Sequence, residues 1–135
     1  MKKLILVAGM FFFAGCATNP ISTEQAKEVP TQRLIDTSFT TQKDGGGQVI
    51  IKRDDGLRGS LCTIRAYADS KPIADLKAGE KVTIFLNVGD HVFGAQGIGA
   101  CYGGLTAQSG KVSEGKALTY RIGLGSVGDF AIYPD

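Results

Sequence analysis

The possible folds of this chain are limited most by its short runs of alternating apolar residues. In these runs an apolar residue recurs at every second position, and glycine-rich turns separate one run from the next. In residues 61–68, small or apolar side chains fall on even positions and Thr63, Arg65 and Tyr67 fall on odd ones, as in a strand with one buried face. The 19 glycines, often beside β-forming residues, supply the turns. The pattern therefore predicts an all-β protein.

About seven short strands are expected from this pattern, within a domain spanning 47–135. They are predicted at 48–53, 61–68, 73–76, 82–87, 91–95, 118–123 and 129–133. We expect 82–87 and 91–95 to form a hairpin, and the last two strands to pair with each other. Strands of this number and spacing predict a small antiparallel β-sandwich or an open barrel.

The first 20 residues have a different character. Lys2 and Lys3 are followed by uncharged, mostly apolar residues from Leu4 to Cys16, and the chain then turns polar. A membrane-spanning helix needs about 20 apolar residues, so this stretch is short for one. A basic start, a short apolar core and the small residues Ala14 and Gly15 predict a removable secretory signal at 1–15. The alternative is a short transmembrane anchor.

The residues Phe13-Ala14-Gly15-Cys16 resemble the lipobox of bacterial lipoproteins, with Phe13 where that family usually has Leu. The resemblance implies cleavage before Cys16, a diacylglycerol on its thiol and a further acyl chain, such as palmitate, on its amine. Two or more chains anchor a protein stably in a membrane. Ala17 stands where an Asp would retain such a protein in the inner membrane, which implies attachment to the outer membrane, at its periplasmic face.

The charge balance of the mature chain excludes one class of partner. Removal of residues 1–15 takes away Lys2 and Lys3, so that Lys plus Arg falls from 15 to 13 against 13 Asp plus Glu. No basic footprint for nucleic acid is left. Residues 16–46 are polar, with few apolar side chains, and we expect the lipidated Cys16 to be followed by a flexible tether there.

Two cysteines remain when Cys16 carries lipid. In an oxidising periplasm, Cys62 and Cys101 are expected to form a disulfide. The alternative is a pair of buried, unbonded thiols. Together with the single His91 they lack the spacing of a zinc site, and no metal or cofactor is expected.

The middle of the chain carries a second resemblance. Residues 63–76, followed by Gly79, the strand at 82–86 and the turn at 88–91, are similar to PEGA-type domains and related uncharacterised lipoprotein domains. The two turns, Asp69-Ser70-Lys71 and Val88-Gly89-Asp90-His91, differ from the family's Asp-Gly-Lys-like and Pro-Gly-x-His-like forms. The resemblance implies a small β-sandwich used for attachment or interaction, with no active site to transfer.

Three groups of residues invite a catalytic or ligand-binding interpretation. The glycine-rich run 94–104 lacks the helix and the Gly-Lys-Ser/Thr sequence of a phosphate loop, so a wide loop or bulged strand is expected. His91 follows Asp90 in a turn, where a local hydrogen bond is the simpler alternative to a catalytic triad. Asp54 and Asp55 lie in a charged turn and are expected to be solvated. We therefore expect a protein that is not an enzyme.

Four residues are candidates for a binding surface. Arg65, Tyr67, Tyr102 and Arg121 are of the types enriched at interaction hot spots, although exposed aromatics also stabilise sheets. We expect an outer-membrane-anchored lipoprotein that acts as a non-enzymatic binding or structural module with an envelope protein partner. The alternative function is inhibition or exclusion, against lysozyme, phage or plasmid.

Overall fold

The computed structural model describes residues 18–125 and 128–135. The expected signal peptide and Cys16 lie outside these residues. Nine strands form in the described part, and three single turns of 3₁₀ helix occur at Thr31–Arg33, Thr37–Thr40 and Gly99–Cys101. The strands are β1 (Lys27–Glu28), β2 (Gly47–Arg53), β3 (Thr63–Ala68), β4 (Lys71–Leu76), β5 (Glu80–Leu86), β6 (Gly89–Ile98), β7 (Thr106–Val112), β8 (Ala117–Leu124) and β9 (Phe130–Pro134).

The strands form two sheets that pack face to face. One has the order β1-β5-β2-β8-β9 and the other the order β4-β3-β6-β7. Pairing is antiparallel except for β1 with β5 and β2 with β8, which are parallel. The predicted all-β fold is confirmed, and the sandwich is the form that it takes. The seven predicted strands correspond to β2–β6, β8 and β9.

The core lies between the two sheets and is filled by alternate residues of each strand. On β3 the side chains of Ile64, Ala66 and Ala68 are fully buried, while those between them face outward, as the alternation predicts. Small residues on β3 leave room for larger ones opposite. The Phe93 ring from β6 lies 4.8 Å, centroid to centroid, from the Tyr120 ring of β8. Burial of this apolar surface is the main source of stability.

The connections gather at the two ends of the sandwich. The end of β2, the starts of β3 and β9 and the loops 54–62 and 99–105 lie together, and we call this the disulfide end. The turns 69–70, 87–88 and 113–116 lie at the opposite end, because β3, β5 and β7 all run away from the disulfide end. Strands of six or seven residues separate the two ends by about 20 Å.

The expected hairpin between 82–87 and 91–95 is wrong. β5 pairs with β2 in the five-stranded sheet, whereas β6 pairs with β3 and β7 in the other. Residues 87–88 therefore cross from one sheet to the other. A connection this short can join two strands of one sheet or two strands of facing sheets, since the chain reverses direction at the same end of the sandwich in both cases.

The stretch 16–46 was expected to be a flexible tether. In the structure, residues 18–46 instead pack against the sandwich. β1 pairs with the edge of β5, Ala26 and Val29 are buried, and the Ile35 amide donates to the Ile73 carbonyl of β4 at 2.7 Å. The segment thus covers the edge strands β5 and β4 on one side of the sandwich. It finds its partners in unpaired backbone groups of those edges.

Arg33 fastens this segment further. Its guanidinium forms a bidentate ion pair with the Glu80 carboxylate and also donates to the Asp75 carbonyl at 3.2 Å. Bidentate pairing combines charge with fixed geometry. The folded domain therefore begins by residue 18, rather than at residue 47.

Candidate functional site

The Cys62–Cys101 disulfide joins the two longest loops of the disulfide end. The cysteine Cα atoms are 5.6 Å apart, and the bond links the residue before β3 to the 3₁₀ turn after β6. The predicted disulfide is confirmed over the alternative of two unbonded thiols. Its effect is to hold loops 54–62 and 99–105 next to each other.

The buried side chain of Arg53 binds the backbone of loop 54–62 from the core side. Its side chain is 1% exposed, and its guanidinium donates to the carbonyls of Cys62 at 2.5 Å, Gly59 at 2.6 Å and Leu76 at 2.9 Å. The guanidinium also lies 5.0 Å from the centre of the Phe130 ring. Burial lowers the pKa of Arg53 to about 10, so the side chain stays charged at neutral pH.

Sequence reasoning placed Arg53 at the end of the strand predicted at 48–53 and missed this role. A signal was present, because Arg53 follows Val49 and Ile51 at every second position of β2 and so shares the face that carries these two core residues. The charge is accommodated because backbone carbonyls accept hydrogen bonds from both terminal nitrogens, whereas the buried Nε has no partner among the described residues.

Asp54 forms a second buried polar cluster beside Arg53. It is 2% exposed and accepts a bidentate pair of hydrogen bonds from Arg121 on β8, while the Thr18 hydroxyl donates to its Oδ2 at 2.8 Å. The Leu124 amide donates in turn to the Thr18 hydroxyl at 3.2 Å. Asp54 is thus a structural residue, in contrast to the expected solvated one, while Asp55 is exposed.

The loops that the disulfide joins carry four exposed large apolar side chains, of which Leu105, at 55%, is the least exposed. Leu57 is 95% exposed, Leu61 99% and Tyr102 76%. Leu61 and Tyr102 each adjoin a bridged cysteine. Exposed apolar residues need no explanation singly, but a group of them on neighbouring loops is a candidate interaction site.

A cleft of about 290 Å³ opens at the same end. Glycine residues form much of its wall, and the other residues that line it are Arg58, Cys62, Cys101, Tyr102, Leu124, Asp129 and Phe130. Arg58 and Asp129 bring opposite charges to a lining that is otherwise backbone and mostly apolar side chains. The volume is at the lower limit for a small-molecule site.

The four residues predicted as a binding surface lie on three different surfaces. Arg65 and Tyr67 are on the outer face of the four-stranded sheet, where Arg65 pairs with Asp75 at 2.8 and 2.9 Å and the Tyr67 hydroxyl lies 3.2 Å from the Gln96 side-chain oxygen. Tyr102 belongs to the disulfide end. Arg121 is on the outer face of the five-stranded sheet, over Tyr133.

His91 lies near the opposite end, at the start of β6, and is separated from Asp54 and Asp55 by the length of the sandwich. Its Nδ1 is 2.7 Å from a carboxylate oxygen of Asp69, and its Nε2 is 2.8 Å from the Asn87 carbonyl. The expected local hydrogen bond is therefore present. The structure does not bring these three side chains together.

The stability of this end should depend on pH. Both ring nitrogens of His91 face acceptors, so only the protonated imidazolium can donate to both. Burial lowers the pKa of His91, but the hydrogen bonds to Asp69 and Asn87 outweigh it and raise the pKa above 6.5. Because the folded pKa is raised, this stabilisation is fully present below the unfolded pKa and is lost as pH rises through the folded value.

We expect the free energy of unfolding to fall by about 0.5–1 kcal/mol as pH rises from 5.5 to 9, a modest effect because Asp69 is partly exposed. Urea unfolding at the two pH values measures it. The His91→Gln variant is the control and should lack the slope, since the chain has no other histidine. Equal slopes in the two proteins would contradict the assignment.

The glycine-rich run 94–104 begins as regular strand and continues as a turn and a loop. Residues 94–98 continue β6, and 99–101 form the 3₁₀ turn that ends in Cys101. A Cβ at position 97 would overlap the Cys101 carbonyl, so glycine there lets the turn fold back on the strand. Within residues 18–125 and 128–135, no three His, Cys, Asp or Glu side chains gather as metal ligands.

The fold and the site define a disulfide-bridged, two-sheet β-sandwich with an apolar loop cluster at one end. No family model, curated protein or solved structure matches the chain. Over the described part of the chain, no helix has the length and apolar character needed to cross a membrane.

Proposed function

We propose that the chain is processed to a lipoprotein, anchored at the periplasmic face of the outer membrane through Cys16, and that its β-sandwich serves there as a non-enzymatic binding module. The observation that carries the proposal is the lipobox-like stretch Phe13–Cys16, which ends two residues before Thr18. A disulfide in the fold agrees with an oxidising compartment.

The outer face of the four-stranded sheet is the surface that we propose for a protein partner. Arg65 and Tyr67 are adjacent outward residues of β3, and Asp75 and Gln96 hold their polar groups in place. Side chains that are ordered before binding lose less entropy when a partner docks. Tyr and Arg are also residues on which binding energy concentrates.

Mass spectrometry of the protein from its native host tests the anchor. The expected species begins at Cys16 and carries the mass of three acyl chains with a glycerol. A species that retains residues 1–15 and gains no hydrocarbon mass would refute the lipoprotein proposal.

Site-specific photo-crosslinking in intact cells tests the binding surface. A photoreactive phenylalanine analogue at Tyr67 should capture a defined envelope protein. The same analogue at Tyr133, a half-buried tyrosine on the outer face of the other sheet, is the matched control and should not. Capture from Tyr133 alone, or from neither position, would overturn the assignment. Inhibition of lysozyme by the purified protein would instead support the alternative inhibitor function.

A further inference from the structure

The chain enters the fold at the disulfide end. Thr18 is buried there between Asp54 and Leu124, and Asn19 exchanges two backbone hydrogen bonds with Asp55, of 2.8 and 2.9 Å. Two residues span at most about 7 Å, so Cys16 must lie within that distance of Thr18. A lipid on Cys16 therefore holds this end of the sandwich at the bilayer.

The same end carries the most exposed large apolar side chains of the described residues, namely Leu57, Leu61 and Tyr102. Leu57 follows Asp55, the partner of Asn19, by two positions. Tyr102 lines the same cleft as Leu124, whose amide binds Thr18. The anchor point and the apolar loops thus share one end of the molecule.

We propose that the disulfide end docks on the membrane surface, with Leu57, Leu61 and Tyr102 inserted among the lipids beside the acyl chains of Cys16. This inference rests on the proposed lipidation of Cys16. Leucine side chains gain from burial in the acyl region, and tyrosine suits the interface because its ring is apolar and its hydroxyl polar.

The bilayer is a better occupant for this patch than a protein partner, because the anchor leaves little space for one. With only Ala17 between the lipidated residue and Thr18, a protein seated on the loops would have to fit between the domain and the membrane. Charge does not drive the contact, since 13 basic residues balance 13 acidic ones after residue 15. Docking should therefore occur on neutral lipid and resist salt.

Docking of the disulfide end would also fix the orientation of the domain relative to the membrane. With the disulfide end down, the strands run away from the membrane, and the turn at 87–88 stands about 20 Å above it. The outer face of the four-stranded sheet then points sideways into the aqueous space. The proposed partner surface stays accessible.

Single-tryptophan reporters can test this docking directly, because the chain contains no tryptophan. Leu57→Trp and Leu61→Trp place a reporter on loops that tolerate change, since both side chains are almost fully exposed. Val88→Trp, at a 54% exposed position of the opposite end, is the matched control. Each full-length variant is expressed with its signal, purified in lipidated form and reconstituted in phosphatidylcholine vesicles.

Lipids brominated on their acyl chains should quench most of the emission from Leu57→Trp and Leu61→Trp, and iodide in the buffer should quench little of it. Val88→Trp should show the reverse. The pattern should persist in high salt.

The outcomes distinguish this inference from the proposed function. If the protein carries lipid and stays with the vesicles, but iodide quenches all three reporters alike, the docking is wrong and the anchor stands. Protection of the loop reporters from both quenchers would overturn membrane docking and would indicate that a protein, such as a second copy of this chain, covers the loops. Absence of lipid mass on Cys16 would refute the proposed function and this inference together.

Discussion

The Arg53→Met variant should lose about 3–5 kcal/mol of unfolding free energy, because the change leaves the carbonyls of Cys62, Gly59 and Leu76 without their donor. Each unsatisfied buried acceptor costs about 1–3 kcal/mol, and the first two retain some access to water. Methionine can fill part of the volume beside Phe130 but supplies no hydrogen bond. The loss should be measured by urea denaturation.

Arg58→Met is the matched control, since Arg58 is exposed on the loop that Arg53 supports. We expect its stability to stay within about 0.5 kcal/mol of the unmodified protein. Arg53→Lys should fall between the two, because an ammonium keeps the charge but cannot reach three carbonyls at once. A loss below 1 kcal/mol in Arg53→Met would show that the loops do not depend on this side chain.

Removal of the disulfide should have an effect of similar size. The bridge closes a loop of 39 residues, and the Cys62→Ala/Cys101→Ala double variant should lose about 4 kcal/mol of unfolding free energy on the chain-entropy account. A small domain is stable by only about 5–15 kcal/mol, so the variant should unfold at a much lower urea concentration.

The control for this prediction is to unfold the unmodified protein and the double variant in urea with and without reductant. Reduction of the unmodified protein should bring its midpoint down to that of the double variant, whose own midpoint should not change with reductant. Mass measurement after alkylation verifies that both sulfurs are free. A midpoint that is unchanged after verified reduction would mean that the bridge adds nothing to stability.

The alternation of β3 shows what could be predicted from the sequence. Ile64, Ala66 and Ala68 are buried and Arg65 and Tyr67 face outward because a strand places neighbours on opposite faces, whatever it pairs with. The same rule places Arg53 on the face of β2 that carries Val49 and Ile51, although no role for its charge there could be read from the pattern. Its partners are carbonyls of loops, which leave no trace in a hydrophobic pattern.

β7 could not be predicted from its own residues. Its inward positions include Gln108 and Gly110, so its pattern is not apolar. The structure explains this, because the Tyr120 ring from β8 fills the space over Gly110 and its hydroxyl donates to the Ser109 carbonyl at 3.2 Å. The side chains that cover the inner face of β7 at Gly110 thus belong to the next strand, β8.

The pairing of the strands and the make-up of the candidate site depended on contacts between residues that are far apart in the sequence. The 87–88 connection is short enough for a hairpin, and only the partners available to β5 and β6 decide that it changes sheets. The disulfide was predictable from the number of cysteines and the expected compartment. That Leu57, Leu61 and Tyr102 lie at the same end of the sandwich as Thr18 was not, since this depends on how the strands are arranged in the two sheets.

The segment that covers β5 and β4 has a consequence for crowding. Molecules held at a membrane, as proposed here, are confined to two dimensions and meet their neighbours far more often than they would in bulk solution. An open strand edge under those conditions recruits strands from other copies and starts aggregation. Residues 27–36 occupy two such edges from within the same chain, on the side of β5 and β4, and so leave fewer edges open to strands of neighbouring molecules.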